Sequence, residues 1–211
     1  MKHIHSVLIL ILGGLNAMAL EEAKYTVTEK AEACELRDYA PVVLAETIVE
    51  GSLEQAGNKA FRRLFRYISG DNQTSNTIAM TAPVSQEARS EKIAMTAPVS
   101  QEPAPGGWAV SFMMPAGSTL QNLPAPTDPK VALRQIPGRR MAAIRYSGVW
   151  SEKHYRQHKK ELETWIAAKG LTVQGEPVWA RYNPPFTPWF LRRNEILIPV
   201  SAGTKRESRS P

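Results

Sequence analysis

The residues of this sequence that could do chemistry are few, and two histidines come first among them. His154 and His158 are four residues apart, a spacing that places both side chains on one face of a helix. The sequence contains no H-E-x-x-H motif, and position 158 falls on the apolar side of the predicted helix. It therefore favours a packed, hydrogen-bonded His158 over a metal ligand, and it predicts that His154 faces solvent.

Nucleophilic catalysis has no stronger signal. Cys34 is the only cysteine, and it alternates with Leu36 in a predicted strand, which points its side chain into the core. A single cysteine forms neither an internal disulfide nor a four-cysteine zinc site. The sequence also has no G-x-S-x-G motif. Enzymatic activity is left open, and a binding protein is the favoured class.

A carboxylate near the C-terminus is the one candidate for the centre of a polar pocket. Glu195 shares a strand face with Leu197, and Arg181 lies in the neighbouring predicted strand. A carboxylate that faces a concave pocket can bind a cation or act as a general base. The alternative, which the sequence favours, is a cross-strand ion pair between Arg181 and Glu195.

The rest of the candidate chemistry is aromatic and cationic. The first predicted helix carries Phe61 and Phe65, with Arg62 and Arg66 beside them. A loop over residues 184–193 adds three large aromatic side chains, Phe186, Trp189 and Phe190. If the helix and the loop meet, they form an apolar cleft with cationic edges, suited to a flat hydrophobic dianion. Whether the two helix phenylalanines belong instead to the core stripe stays open at this level.

These side chains depend on two helices and a set of strands for their positions. A capping box of Ser52 and Gln55 predicts the start of the first helix, and Gly70 predicts its end. Ser151 and Gly170 bound the second helix in the same way. Alternating apolar residues predict strands at residues 24–30, 33–39, 41–50, 108–115, 131–137, 139–148, 176–185 and 194–200. This order predicts an α+β fold, with two amphipathic helices on one side of a curved antiparallel sheet.

Two segments between the helices stand out. The decapeptide IAMTAPVSQE occurs at residues 78–87 and returns unchanged at residues 93–102. Its proline predicts an edge, a bulge or a loop. Residues 123–129, LPAPTDP, are rich in proline and predict a hinge between the two halves of the chain.

Composition and the first residues limit the class of protein. Of the 211 residues, 43% are hydrophobic and 22% charged, which excludes general disorder, collagen-like and coiled-coil proteins. The net charge of +6 is spread without a basic block, so no nucleic acid partner is expected. Residues 1–19 combine Lys2, a short apolar run and small residues, which predicts an export signal cleaved after Ala19 and no transmembrane anchor. We expect the mature chain in the periplasm or outside the cell, with a polar, disordered tail over residues 201–211.

Several motifs, in order along residues 24–200, resemble one known family. They are LRDYAPVVLAET, FRRLFRYISGDN, KIAMTAPV, WAVSFMMP, and RYNPP followed by RRNEILIPV. Together they resemble the SOUL haem-binding family, so residues 20–200 are expected to form one SOUL-like domain. The resemblance implies a βαββ duplication that forms a distorted antiparallel barrel or sheet with two helices. It also implies distant kinship with GyrI-like effector-binding domains, which hold small organic molecules.

The resemblance also implies a ligand, a non-covalent b-type haem or another porphyrin, between the first helix and the loop before the last strand. Asn58 and Thr187 stand where some relatives have basic residues. Asp38 stands where some relatives have a histidine, a proposed axial ligand. Haem is therefore expected to bind without that histidine, loosely or through another residue such as a methionine. Relatives use apolar and cationic contacts at three positions, here Phe61, Phe65 and Arg66.

Three functions are compatible with the sequence. The favoured one is an exported protein that holds a porphyrin in a shallow apolar cleft, for carriage or buffering. The second is a GyrI-like small-molecule binder or hydrolase with Glu195 at its polar centre. The third is an interaction scaffold in which the aromatic loop docks a partner.

Overall fold

The computed structural model of this protein describes residues 20–74 and 90–202. The predicted export signal, the first copy of the decapeptide and residues 203–211 of the predicted tail lie outside them. The described residues form two helices, α1 (Leu53–Ser69) and α2 (Glu152–Ala168), and a short 3-10 turn at Trp189–Leu191. The strands are β1 (Glu21–Glu22), β2 (Tyr25–Ala31), β3 (Cys34–Tyr39), β4 (Val42–Val49), β5 (Asn72–Gln73), β6 (Thr96–Ala97), β7 (Val99–Ala104), β8 (Gly107–Met113), β9 (Ala125–Pro126), β10 (Ala132–Ile136), β11 (Arg139–Tyr146), β12 (Leu171–Val173), β13 (Val178–Arg181) and β14 (Asn194–Ala202).

Both helices begin at a serine cap, as predicted. The Ser52 hydroxyl accepts a hydrogen bond from the backbone N–H of Gln55, and the Ser151 hydroxyl accepts one from that of His154, each at 3.3 Å. α1 ends at Gly70, whose φ of 122° lies in the region that favours glycine. Each helix buries one face and exposes the other. Among the described residues, no helix has the length and apolar composition needed to cross a bilayer.

Ten strands form one antiparallel sheet with the order β10-β4-β8-β7-β13-β14-β11-β3-β2, and β12 pairs with β14 off this path. The unit β4-α1-β7-β8 recurs as β11-α2-β13-β14, and in each unit the strand before the helix pairs with the last strand. The two units meet where β7 pairs with β13. This arrangement confirms the predicted α+β fold with a βαββ duplication. The sheet has free edges at β10 and β2, so it is open and not the closed barrel that the resemblance also allowed.

The strand that leads into each unit pairs with the other unit. β3 precedes β4 but pairs with β11, and β10 precedes β11 but pairs with β4. In sheet order β3 and β4 are six strand spacings apart, about 29 Å in a flat sheet. Only residues 40–41 join them, and residues 137–138 join β10 to β11, so each connection spans at most about 11 Å. The sheet must therefore curl until its ends approach, and Gly138 packs there against Pro41.

The curl separates two faces of the sheet. On the outer face α1 packs over β4 and β8, with Leu64 in its core cluster, while α2 packs over β11 and β14, with Leu162 in its cluster. Cys34 is buried beside Leu36 in the α2 cluster, as predicted. The inner face holds a smaller apolar cluster that includes Met141. Both faces thus contribute to the stability of a single sheet.

The proline of the second decapeptide copy does not place its strand at an edge. Pro98 lies in the break between β6 and β7, but β7 itself pairs with both β8 and β13. Pro103, the proline within β7, is tolerated because β13 pairs with β7 only as far as Gln101. Of the three predicted alternatives, an edge, a bulge or a loop, the structure shows a break in the strand at Pro98, and β7 is not an edge strand.

The predicted hinge is a packed connector. Leu123 is buried, and the Tyr67 hydroxyl donates a hydrogen bond to the carbonyl oxygen of Pro124 at 2.9 Å. Within the connector β9 pairs with β5, which follows α1. The C-terminal boundary of the domain also differs from the predicted residue 200. β14 continues through Ser201 to Ala202, the first two residues of the predicted tail.

The interlocked strands predict that the two halves unfold together. Leu64→Ala under α1 and Leu162→Ala under α2 each remove a fully buried side chain, so each should lower the free energy of unfolding by about 2–5 kcal/mol. Both variants should still unfold in urea in one transition, with equal midpoints by circular dichroism and tryptophan fluorescence. Leu191→Ala, at a side chain 64% exposed, is the control and should change the free energy by less than about 0.5 kcal/mol. A second transition in either core variant would show that the halves fold separately.

Candidate ligand-binding cleft

A cleft of about 440 Å³ opens beside α1, where β7 meets β13. Its volume lies within the range of about 300–1,000 Å³ that small-molecule sites occupy. Its walls come from α1, the second decapeptide copy, the loop before α2 and the loop after β13. Among the described residues, no Asp or Glu lines it. The apolar walls include Phe61, Met95, Val99, Trp150, Pro185 and Phe186.

α1 presents two exposed phenylalanines, of which Phe61 lines the cleft and Phe65 does not. Phe61 and Phe65 are 36% and 47% exposed, and their rings stack with centroids 5.8 Å apart. Leu64 and Ile68 instead fill the core. With about 3.6 residues per turn, positions 61 and 65 fall at the edge of the buried stripe. The structure thus separates the predicted stripe into a core part and a surface aromatic part, and Phe61 lines the cleft.

The loop after β13 supplies the opposite wall through Phe186, which is 86% exposed. Arg192 holds this loop in place, because its Nε donates a hydrogen bond to the carbonyl oxygen of Thr187 at 2.8 Å and its guanidinium bonds to that of Pro185. The same guanidinium lies 4.5 Å from the ring centroid of Trp150. A charged side chain tied to backbone carbonyls therefore positions an otherwise exposed aromatic wall.

Trp189 and Phe190 do not line the cleft. Both lie in the 3-10 turn, both are 59% exposed, and their rings meet edge to face at 5.6 Å. The backbone N–H of Gly148 donates a hydrogen bond to the carbonyl oxygen of Trp189, which fixes the turn beside the loop before α2. The structure therefore brings Phe61 and Phe186 together and leaves the other two loop aromatics on the surface.

The predicted cationic edges are also placed elsewhere. Arg62 is exposed on α1, and Arg66 forms an exposed ion pair with Asp71 at 2.6 Å. Asp38, at the position of the histidine of some relatives, pairs with Arg140 at 2.7 Å on the surface. None of these side chains lines the cleft.

The cation that does line the cleft is Arg181, at the end of β13. Its side chain is buried, and its guanidinium lies 5.3 Å and 5.1 Å from the ring centroids of Trp150 and Trp179. It donates one hydrogen bond to Gln101 Oε1 at 3.2 Å. Burial lowers the pKa of Arg181 to about 10, so the group stays charged at neutral pH. Gly57 of α1 makes this position possible, because a Cβ there would overlap the guanidinium.

Glu195 and Arg181 do not form the predicted ion pair. β13 and β14 pair Ala180 with Glu195 and Arg181 with Asn194, so the two charged side chains point to opposite faces of the sheet. The prediction is wrong by one residue of register, which is enough to reverse the face of every side chain in a strand.

Glu195 is instead the centre of a buried ion cluster on the inner face. Its carboxylate accepts hydrogen bonds from Arg37 at 2.7 Å, from Arg193 at 3.0 Å and from the Tyr182 hydroxyl at 2.9 Å. The cavity that the curl encloses on this face has about 80 Å³, and Glu195 does not line it. This volume lies below the range of about 300–1,000 Å³ that small-molecule sites occupy. Glu195 is thus the centre of an ion cluster and does not line the pocket beside it.

The two histidines also lie outside the cleft lining. His158 stacks on Tyr146 with centroids 4.1 Å apart, and its Nδ1 lies 2.9 Å from Glu161 Oε2, which is the packed arrangement that the sequence favoured. His154 is half-buried, with Nδ1 3.3 Å from the carbonyl oxygen of Val149 in a contact that is exposed at the surface. Within residues 20–74 and 90–202, no three His, Cys, Asp or Glu side chains cluster as metal ligands would.

Sequence reasoning did not assign most of the cleft lining, and three of the missed residues bear on its chemistry. Met95 belongs to the second decapeptide copy, whose repetition was the available signal for a structural role. Trp150 lies directly before the Ser151 cap and is enclosed by two guanidinium groups, an arrangement that only the tertiary fold creates. Arg181 was assigned to the other face of the sheet.

Comparison with known proteins gives one family. A family model described as "SOUL heme-binding protein" matches residues 20–199. Heme-binding protein 1 of Mus musculus is 27% identical over 176 residues, which cover 83% of this chain and 85% of that protein. Heme-binding protein 1 of Sus scrofa is 24% identical over 182 residues, with the same coverage.

Two solved structures are similar in fold. The crystal structure of the EcmrR C-terminal domain has a TM-score of 0.56 at 11% identity, over 84% of this chain and 98% of that one. That of a hydrolase from Listeria innocua has a TM-score of 0.52 at 10% identity, over 82% and 94%. At these identities the likeness shows the fold alone. By its sequence match over residues 20–199, the chain belongs to the SOUL haem-binding protein family.

Proposed function

We propose that this protein holds a tetrapyrrole, haem or another porphyrin, non-covalently in the cleft, for carriage or buffering. The observation that carries the proposal is the composition of the cleft: about 440 Å³, aromatic walls on two sides, one buried cation and no acidic lining among the described residues. A porphyrin is a flat apolar ring with carboxylate substituents, and the walls and the cation complement these two parts. The relatives named Heme-binding protein 1 support the same class of ligand.

Apolar contact supplies most of the expected affinity. Phe186 is 86% exposed in the protein alone, so a ring that covers it removes apolar surface from water. Each Å² of such surface contributes roughly 25 cal/mol. Phe61 is rigidly supported on the other side of the cleft by an edge-to-face contact with buried Phe112, 5.3 Å between centroids. Little side-chain ordering is therefore needed on that wall when a ligand binds.

Phe186 and Phe190 form a matched pair for testing the site. Phe186→Ala should weaken the binding of haemin and of metal-free protoporphyrin IX by about 1–3 kcal/mol, because it removes one wall. Phe190→Ala removes an equal ring, 59% exposed and four residues away, and should leave both affinities within about twofold. Titrations followed at the Soret band measure the four constants, and circular dichroism checks the fold. Equal losses in the two variants would place the site at the 3-10 turn, and a parent protein that binds neither porphyrin would refute the proposed function.

Met95 is the candidate ligand for haem iron. Within the described part of the chain, it is the cleft-lining side chain with a soft sulfur donor, and Cys34 is buried elsewhere, which excludes a thioether attachment. When bound, haem would place its redox-active iron within this apolar cleft. Tyr182 also lines the cleft, and its hydroxyl donates a hydrogen bond to Glu195. Burial raises the pKa of this hydroxyl, so Tyr182 stays protonated.

We expect Met95→Leu to change the visible spectrum of ferric haem in the protein, because it removes the thioether without removing apolar volume. The affinity for metal-free protoporphyrin should stay within about twofold, since that ring has no iron to ligate. The control is the double variant His154→Ala, His158→Ala, which should change haemin affinity by less than about tenfold, or roughly 1.4 kcal/mol. Loss of haemin binding in this double variant, with the fold intact, would identify a histidine as the ligand instead.

We also propose that the protein is exported and that its leader is removed. The apolar run of residues 7–15 and the small residues Ala17 and Ala19 support a signal peptidase site. Leu20, the residue after that site, lines the cleft, so the C-terminal end of an uncleaved leader would lie beside the ligand. N-terminal sequencing of protein from its native host should therefore read LEEAKY. Cytoplasmic protein that retains Met1 would contradict this expectation.

A further inference from the structure

We propose that the cleft takes its ligand with a carboxylate directed inward, and that Arg181 binds this carboxylate. The inference rests on the proposed function and deepens it, because it specifies a planar apolar molecule with at least one free carboxylate. A porphyrin with free propionate groups meets this requirement, and the corresponding ester does not. The exposed arginines of α1 have no part in this recognition.

Arg181 is a buried cation without a buried anion. It is 8% exposed, and its hydrogen-bond acceptor, Gln101, is neutral. The other deeply buried arginine, Arg37, is 2% exposed and contacts the carboxylates of Glu35 at 2.8 Å and Glu195 at 2.7 Å. Removing an ion from water costs free energy, and a cation–π contact returns only part of that cost. In the described part of the chain no carboxylate balances Arg181, so a ligand carboxylate would supply the missing countercharge.

Two N–H donors at the same place also have no acceptor. Arg181 Nε and Trp150 Nε1 are buried and make no hydrogen bond to the described residues. An unsatisfied buried donor costs about 1–3 kcal/mol, so two together at one cleft call for an acceptor. Both residues line the cleft, and the guanidinium carbon lies 5.3 Å from the Trp150 ring centroid. A carboxylate has two oxygens and can accept from both groups at once.

The surroundings favour Arg181 over the surface cations as the anion site. Arg66 already pairs with Asp71, and Arg62 is exposed, where water and salt screen its charge. Arg181 lies between two indole rings and against the backbone of Gly57, and the lower effective dielectric there strengthens an ion pair. The same carboxylate therefore gains more affinity inside the cleft than at its edge.

The direct test compares mesoporphyrin IX with its dimethyl ester, which has the same ring and no charge. Porphyrin fluorescence titrations of the mature protein should show at least about tenfold tighter binding of the acid, the equivalent of about 1.4 kcal/mol. Arg181→Met removes the charge and keeps an apolar side chain, so it should weaken binding of the acid more than binding of the ester and bring the ratio of the two affinities to within about twofold of unity. Arg62→Met removes an exposed cation from α1 and should keep the parent's ratio of acid affinity to ester affinity.

A second variant should remove the preference for the acid over the ester while it keeps Arg181. Gln101→Glu would place a carboxylate at the position from which Gln101 Oε1 now accepts the Arg181 bond at 3.2 Å. The internal countercharge should abolish the preference for the acid, as Arg181→Met does. Circular dichroism and the urea midpoint verify the fold of both variants, and Gln101→Glu decides the question if Arg181→Met does not fold. The role of Arg181 would be overturned if the ratio of acid affinity to ester affinity stays at the parent value in a folded variant. It would also be overturned if that variant loses affinity for the acid and the ester equally.

A ligand pair without a porphyrin ring separates this inference from the proposed function. 1-Pyrenebutyrate and its methyl ester carry the same contrast on a smaller aromatic ring. If the protein binds neither porphyrin but prefers the pyrene acid in an Arg181-dependent way, the carboxylate site stands and the tetrapyrrole function fails. If it binds both porphyrins equally and shows no preference within the pyrene pair, the tetrapyrrole function stands and the carboxylate site fails.

Discussion

Two connections of two residues each determine the shape of this protein. They join strands that stand at opposite ends of the sheet order, so a flat sheet cannot satisfy either connection. The resulting curl fills the inner face with side chains and leaves a cavity of only about 80 Å³ there. Space for a ligand is found on the outer face, where Val99 of β7 pairs with Arg181 of β13 and both residues line the cleft. The binding site is thus a property of the boundary between the two halves.

The charges follow the same division between the faces. On the inner face Arg37 and Arg193 neutralise Glu195, and the bond from Arg37 links β3 to β14 across β11. On the outer face Arg181 has aromatic and amide neighbours but no carboxylate among the described residues. A satisfied cluster rigidifies the fold, whereas an unbalanced charge in a cleft favours a ligand of opposite sign. In β13, Ala180 pairs with Glu195 and faces inward, whereas the next residue, Arg181, faces outward.

Local patterns predicted the elements of this fold well, and tertiary contacts account for what they missed. The caps at Ser52 and Ser151 and the 3.6-residue stripes locate both helices closely, because capping and amphipathicity act within a few residues. Periodicity could not distinguish Phe61 from Leu64, since a residue at the edge of a stripe has the same spacing as one in its centre. Nor could it reveal that Arg192 holds the loop so that Phe186 lines the cleft and the following aromatics do not, because those bonds run to backbone carbonyls.

The exchange of leading strands has a further consequence for the linkage between the halves. A single βαββ unit with its leading strand would leave that strand without a partner and would depend on a second copy to supply the missing edge. In this chain both units are covalently joined, so each leading strand meets its partner at a high effective concentration set by the connector. The pairing is therefore independent of protein concentration, and dilution does not separate the two walls of the cleft.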